Sequence, residues 1–393
     1  MAKKRRRGAS EGTIYQRKDG RWAAQVTVGY DAEGRQKRAT VYGKTRAEVV
    51  EKLDQLRLAR RTGTLVENHK ITLSEWLERW LSVYQRPAVS KKTYALQRML
   101  VRRHIIPDLG HIPLLKLKPN TIQHLYASKL ESLSSQTVRH IHNILNKALK
   151  QAEREGLIPR NPVQATSPPK VVRQNEMRPL TREEVGRLLS ALEGERLGAA
   201  FILGLATGLR RGELLALRWS DIDLDKATLQ VRRALDRVVQ DDGTTRLEFT
   251  DVKTPKSRRL IPLAGEVIRV LKAHKARQAQ EKLALGEAYK EADLVFATTL
   301  GTPVCPRSFL RLWARILKRA GIPHTRFHNL RHTFATLLLE GGEHPKVVQE
   351  LLGHSTVSMT LDTYSHLVPG LKERAAATVD GIIKEARASS AAR

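Results

Sequence analysis

Five prolines fall between residues 158 and 179, and this stretch constrains the fold more than any other feature of the sequence. They are Pro159, Pro162, Pro168, Pro169 and Pro179. Proline lacks a backbone N–H and is excluded from helix interiors and central strands. Residues 158–179 therefore predict an extended linker that divides the 393-residue chain into separate folded parts. Lys170 and Arg173 give this linker positive charge, which indicates that it lies along a negatively charged partner.

The N-terminal part is predicted to be a small β-rich module. Residues 1–10 are basic and carry no periodic apolar pattern, so we expect them to be disordered. Three short β-like runs follow, separated by turn signals, at residues 13–16, 21–30 and 37–42. Thr45 can cap a helix over 46–59. A three-stranded sheet plus one helix is therefore expected over residues 11–61.

A helical unit is predicted between this module and the linker. Thr72 and Glu75 form a capping-box pattern that opens an amphipathic helix. Further helical patterns cover residues 90–104, 119–132 and 135–155. Because no strand pattern interrupts them, residues 70–157 predict an all-α domain.

The part after the linker has a mixed α+β pattern. Thr181 and Glu184 form a second capping box. Strand-like runs at 228–231 and 258–262 precede a mostly helical remainder. We expect a domain over 180–386 with a short tail at 387–393, so the whole chain is multidomain, mainly α with small β-sheets.

The charge balance indicates a polyanionic partner. Seventy Lys and Arg residues against forty Asp and Glu residues give a net charge of +30. The excess is spread over the chain, which favours several folded surfaces that contact phosphate. A basic ribosomal component is the alternative, although such proteins are usually shorter.

Other features narrow the class further. Cys305 is the single cysteine, so neither an intramolecular disulfide nor a cysteine-based zinc site is expected. No apolar region follows the basic N-terminus, and the apolar stretch at 199–206 is too short to cross a bilayer. We expect an intracellular, cytoplasmic protein.

The first motif with chemical potential runs from Thr207 to Leu214, as TGLRRGEL. Gly208 permits a tight turn at a helix junction. Arg210 offers a planar fork that suits two phosphate oxygens, and Glu213 could orient it. The alternative is a plain amphipathic helix with a surface arginine.

A second motif, VKTPKSRRLIPL, covers residues 252–263 and predicts a β-hairpin with a basic tip. A lysine at such a tip can deliver a proton to a leaving oxygen. Lys253 and Lys256 both qualify, and an ordinary surface hairpin remains the alternative.

The third and fourth motifs contribute histidines and a tyrosine. His328 and Arg331 lie three residues apart at a helix start, so both face one side, where an anion is favoured. A metal interpretation would pair His328 with His332, but no third ligand is evident. His354 follows a Leu-Gly pair, and Tyr364 lies ten residues beyond it.

Together these motifs resemble the tyrosine recombinase (phage integrase) family. The shared frames are TGxRxxEL, KTxxSxRxIPL, HxxRH, LGH and a terminal tyrosine, in that order. They span about two hundred residues of the part after the linker. The helical unit resembles the family's core-type DNA-binding domain, and the N-terminal module resembles its arm-type DNA-binding domain.

The resemblance implies a role for each motif residue. Tyr364 would attack the scissile phosphate and form a 3′-phosphotyrosyl link. Arg210 and Arg331 would bind the non-bridging oxygens, and Lys253 would protonate the departing 5′ oxygen. His328 would assist proton transfer at the tyrosine, and His354 would donate to the phosphate. No metal and no cofactor are implied.

The implied function is site-specific integration or excision of a phage or mobile element. Its expected partners are double-stranded DNA at core and arm sites, a homotetramer on that DNA, a directionality factor and a host DNA-bending protein. A type IB topoisomerase with the same chemistry and a non-catalytic DNA-binding accessory protein are the alternatives.

Overall fold

The computed structural model describes most of the chain. The described residues are 13–30, 34–61, 71–171, 178–240, 243–252, 258–364, 376–377, 379–384 and 387–388. The expectation of disorder for residues 1–10 lies outside them. The chain divides into two compact units, Met1–Arg173 and Gln174–Arg393.

The first unit begins with a three-stranded antiparallel sheet. Its strands are β1 (Thr13–Gln16), β2 (Trp22–Tyr30) and β3 (Gln36–Gly43), in the order β1-β2-β3. Helix α1 (Arg46–Arg61) covers one face, with Val49 and Leu53 buried with Ala24 of β2. The predicted three strands and one helix are confirmed.

The rest of the first unit is helical, also as predicted. Its helices are α2 (Leu73–Trp80), α3 (Lys91–Leu100), α4 (Ile106–Leu109), α5 (Pro119–Leu130) and α6 (Ser135–Arg154). The capping box between Thr72 and Glu75 opens α2. Trp76 is fully buried and donates from Nε1 to the Ala148 oxygen at 2.9 Å, which ties α2 to α6. The helix pattern predicted over 90–104 contains a wide turn at Val101–Ile105.

The proline-rich segment differs from the expectation of an extended linker beginning at residue 158. Ile158 and Val163 are buried in the core of the helical unit. Pro162 starts a short helical turn, Pro162–Ala165, which Asn161 caps through its side chain. Proline is compatible with the first position of such a turn because its missing N–H has no partner there. The segment is therefore packed against the helical unit through about Thr166.

The second unit is a mixed α+β fold. Its helices are α7 (Arg182–Leu192), α8 (Gly198–Thr207), α9 (Arg211–Leu215), α10 (Gly265–Leu285), α11 (Pro306–Arg319), α12 (Asn329–Glu340), α13 (Pro345–Leu352) and α14 (Val357–Tyr364). Its strands are β4 (Ile222–Asp223), β5 (Thr228–Val231), β6 (Arg233–Val239), β7 (Thr245–Asp251) and β8 (Arg259–Pro262). They form one sheet in the order β4-β5-β8 and a separate β6-β7 hairpin.

Helix α8 lies at the centre of this unit because it is apolar on nearly every side. Phe201 on α8 stacks on Phe309 and Trp313 of α11, with ring centroids 4.6 and 5.3 Å apart. This packing fixes α8 in the core, and the TGLRRGEL motif begins at Thr207, the last residue of that helix.

Among the described residues, no helix is long and apolar enough to cross a membrane. These residues also contain no group of three His, Cys, Asp or Glu side chains placed to hold a metal ion.

Candidate active site

Gly208 brings the motifs together at the end of α8. It adopts a left-handed conformation, with φ of 61°. A Cβ at this position would lie 2.7 Å from Leu352 Cδ2 and 2.8 Å from Phe334 Cδ1. Only glycine allows α12 and α13 to approach this turn so closely.

Arg331 bridges two of the motifs. It lies in the first turn of α12, and only 2% of it is exposed. Its Nη1 donates to the Gly208 oxygen at 2.9 Å, and its Nη2 donates to the Leu352 oxygen at 2.6 Å. One buried guanidinium therefore links the turn before Arg210 to the turn before His354.

Arg210 is held by a carboxylate instead. It precedes α9, and its side chain is 41% exposed. Its Nη1 donates to Glu213 Oε1 at 2.7 Å, while its backbone N–H donates to Glu213 Oε2 at 3.0 Å. The expectation that Glu213 orients Arg210 agrees with this geometry.

Arg259 is a further arginine of the cluster, to which the sequence assigned no role. It is buried on β8, donates to Glu213 Oε2 at 2.9 Å, and donates from Nε to the Leu351 oxygen at 2.7 Å. Burial raises the pKa of Glu213, but Arg259 and Arg210 outweigh this effect and hold that pKa below its usual value. Glu213 is therefore an ionised carboxylate between two guanidinium groups.

His354 is fixed both at its backbone and at its ring. Gly353 ends α13 in a left-handed conformation with φ of 65°. The main-chain oxygen of Gln349 accepts from the His354 N–H at 3.1 Å, and the side-chain Nε2 of Gln349 donates to the His354 oxygen at 2.5 Å. The ring Nδ1 lies 2.9 Å from Thr360 Oγ1 of α14. The pKa of His354 is lowered to about 4, mainly by burial and further by the charges of Arg331 and other neighbouring cations.

His328 and His332 meet at the start of α12. His328 is the residue before the helix, and the two rings are perpendicular with centroids 4.8 Å apart. Desolvation of part of the ring lowers the pKa of His328, and the charges of Arg331 and Arg210 lower it further. Burial and the neighbouring His328 lower the pKa of His332 to about 3. Both rings are therefore neutral at pH 7, the form that can accept a proton.

The remaining predicted site residues are less fully described. Tyr364 is the last residue of α14, the helix that follows His354. Lys253 and Lys256 lie outside the described residues, between β7 and β8. The structure thus brings together Arg210, Arg331, His328 and His354 from motifs distant in the sequence. Such a group of cations and neutral imidazoles suits an oxyanion with developing negative charge.

Comparisons with known proteins identify the family of the chain. Residues 178–369 match the profile of the phage integrase family, and residues 72–130 match the profile of the phage integrase N-terminal SAM-like domain. A tyrosine recombinase XerC-like protein of Caldanaerobacter subterraneus subsp. tengcongensis is 34% identical over 372 residues, covering 91% of this chain and 95% of the relative. An integrase of Streptomyces ambofaciens is 30% identical over 393 residues, covering 98% and 99%.

Solved structures show the same fold. The Tn1549 transposon integrase, in complex with transposon right end DNA, matches with a TM-score of 0.64 and 25% identity, over 75% of this chain and 94% of that one. A lambda integrase tetramer bound to a Holliday junction matches with a TM-score of 0.56 and 22% identity, over 92% and 96%. The chain belongs to the phage integrase family of tyrosine recombinases. It is a site-specific DNA recombinase, as the motifs predicted.

Proposed function

We propose that this recombinase cleaves and rejoins DNA through a 3′-phosphotyrosyl link to Tyr364, at a phosphate held by Arg210 and Arg331. The observation that carries this proposal is the position of Arg331, which joins the Gly208 turn and the Leu352 turn. Because both turns are tied to one guanidinium, the groups beside them form a preorganised anion site.

The two arginines would act on the non-bridging oxygens of the scissile phosphate. Guanidinium groups bind such oxygens through paired N–H donors. Glu213 restricts the Arg210 fork to one orientation, so little reorganisation is needed as charge develops in the transition state.

The proton transfers follow from the neutral histidines and the lysine. An unperturbed phenol has a pKa of about 10, so Tyr364 needs nearby cations and a proton acceptor. The phenol proton would pass to His328 as the phenolic oxygen bonds to phosphorus. The bond from phosphorus to the 5′ oxygen then breaks, and Lys253 protonates that oxygen while His354 donates to the phosphate. The reverse sequence rejoins the strand without ATP, because the covalent link conserves the phosphodiester energy.

The DNA partners are inferred from charge and from the relatives. The related solved structures are of a transposon integrase on transposon end DNA, a lambda integrase dimer on a core site and a lambda integrase tetramer on a Holliday junction. The net charge of +30 favours the same kind of partner here. The protein would act in the bacterial cytoplasm as a homotetramer on double-stranded DNA, with a directionality factor and a host DNA-bending protein.

Each part of the chain would then have its own DNA contact. The module at 11–61 would bind arm sites, and the helical unit that begins near residue 70 would bind core sites. The domain at 180–386 would carry out the chemistry. The DNA that is integrated or excised would belong to a phage or another mobile element.

The proposal is tested with a nicked half-site substrate taken from DNA that flanks the gene. Wild-type protein should form a covalent protein–DNA adduct on denaturing gels. Tyr364→Phe should form none while it retains DNA binding, because only the hydroxyl is lost, and Tyr289→Phe in the same unit is the control. Equal adduct yields from Tyr364→Phe and wild type would refute the assignment. Equal relaxation of plasmids with and without an attachment site would favour a topoisomerase.

A further inference from the structure

Thr360 is a buried hydroxyl beside the site to which the mechanism above gives no role. It lies on α14 and is fully buried, and its Oγ1 is 2.9 Å from Nδ1 of His354. We propose that Thr360 is a positioning residue: its hydroxyl donates to Nδ1 of His354, and thereby leaves the proton on Nε2 for donation to the phosphate. This inference rests on the proposed role of His354.

The direction of this hydrogen bond follows from the chemistry of imidazole. A neutral ring carries its proton on one nitrogen and a lone pair on the other. If Nδ1 donated to Thr360, then Nε2 would present a lone pair, which repels an anion. If the hydroxyl donates instead, Nε2 keeps its proton and attracts the anion. The second arrangement is the one compatible with a phosphate held by Arg210 and Arg331.

The neutral form of the ring is the relevant one. The lowered pKa of His354, about 4, leaves the imidazole uncharged near pH 7. A protonated ring would donate from both nitrogens and would need no tautomer selection. The effect of Thr360 therefore depends on the burial and the cations that keep this histidine neutral.

The same hydrogen bond connects two helices of the site. Gln349 on α13 fixes the backbone of His354, whereas Thr360 on α14 holds its ring. Tyr364 is the last residue of α14, one helical turn after Thr360, a rise of about 6 Å along the axis. The ring of His354 is thereby tied to the helix that carries the proposed nucleophile.

Two variants isolate the Thr360 hydroxyl, and a third serves as the control. Thr360→Val removes it with little change of shape, and Thr360→Ser retains it. Thr336→Val is the matched control, because Thr336 is also buried in this unit and its Oγ1 has no hydrogen-bond partner among the described residues. We expect Thr360→Val to slow single-turnover cleavage about tenfold or more, the size of one lost hydrogen bond. Thr360→Ser should stay within about threefold of wild type, and Thr336→Val should be unchanged.

A double-mutant cycle tests whether the effect passes through His354. In a His354→Gln background, Thr360→Val should cause no further slowing, because the ring that it positions is gone. Nitrogen-15 NMR of histidine-labelled protein reports the tautomer directly, with the His354 signals assigned from the His354→Gln spectrum. Wild type should show the proton on Nε2, and Thr360→Val should show a mixture of tautomers.

The outcomes separate this inference from the proposed function. A wild-type tautomer with the proton on Nδ1 would overturn the inference, whether or not Thr360→Val folds. Equal slowing by Thr360→Val in both backgrounds would also overturn it, because the effect would then bypass His354. Wild-type cleavage by His354→Gln would instead remove the proposed role of His354 itself.

Discussion

The two units of this protein use their interiors differently. Among described residues, and leaving aside tyrosine and tryptophan, the first unit buries only Gln97 and Asn161 as polar side chains, beside an apolar core built around Trp76 and Trp80. The described part of the second unit buries fourteen polar or charged side chains, including Glu213, Arg259, Arg331, His354 and Thr360. Buried polar groups are costly unless they are paired.

This difference in buried side chains indicates a different role for the interior of each unit. The apolar core of the helical unit stabilises a scaffold, and it needs no particular charge. The second unit retains desolvated charges whose partners are fixed. Such groups can stabilise a developing charge without first reorganising. We therefore expect the polar interior to be required for chemistry and the apolar interior only for stability.

The largest effects are expected from the two arginines. Arg331→Ala and Arg210→Ala should each slow cleavage by about a thousandfold, because each removes a charge-stabilising group. Arg331→Ala should also lower the free energy of unfolding by about 1–3 kcal/mol, since it leaves the Gly208 and Leu352 carbonyls without this donor. Single-turnover cleavage and chemical denaturation measure the two effects. Arg269→Ala, at an exposed arginine, is the control, and near wild-type cleavage by Arg331→Ala would contradict the clamp.

Glu213→Gln should destabilise the second unit by about 3 kcal/mol, because Arg259 would remain buried without its ionised partner. Cleavage should slow as well, since Arg210 loses its orientation. Glu266→Gln is a matched control, because Glu266 pairs with Arg269 three residues away, as Glu213 pairs with Arg210, but on an exposed surface. Equal loss of stability in the two variants would show that burial of the Glu213 pair is unimportant.

Acidification should destabilise the protein through His332 and His354. Their pKa values in the folded state, about 3 and about 4, lie below the value of about 6.5 expected for unfolded chains. The unfolded state therefore binds more protons, so stability is present above about pH 6.5 and is lost as pH falls towards the folded pKa values. The melting temperature should drop by several degrees between about pH 7.5 and pH 5. His332→Asn should reduce this drop relative to the surface control His324→Asn, and an unchanged drop would argue against a desolvated His332.

The smallest effect is expected in the first unit. Asn161 is fully buried and donates to the Asn146 side chain at 2.8 Å. Asn161→Ala should cost about 1–2 kcal/mol of unfolding free energy, the size of a lost buried hydrogen-bonded pair. Cleavage at saturating protein should keep its wild-type rate. A slower chemical step in this folded variant would break the division between scaffold and chemistry.

The sequence revealed the features that depend on local signals. The capping boxes at Thr72 and Thr181 predicted helix starts because their hydrogen bonds span only three residues. Arg210, Arg331 and His354 were recognised because their short motifs keep a fixed order. The choice of Lys253 over Lys256 as the donor of the leaving-group proton stays a prediction.

Other features depend on contacts that no short motif encodes. The partners of Arg331 are main-chain carbonyls, one of them 123 residues away, and a carbonyl has no residue type to recognise. Arg259 belongs to the VKTPKSRRLIPL motif, but its role depends on Glu213, 46 residues away. The exclusion of proline from helices predicts a linker over residues 158–179, but proline also permits the packed turn that forms at Pro162–Ala165.

The left-handed turn at Gly208 sets a rule for building hybrid recombinases. Its missing Cβ admits Leu352 and Phe334, and its carbonyl accepts from Arg331, so α8, α12 and α13 fit only as a matched set. Exchanging the segment around Gly208 between relatives without the segment around Leu352 would pair surfaces shaped for different neighbours. Crossover points for such chimaeras should therefore lie before residue 178, where the whole site is inherited as one block.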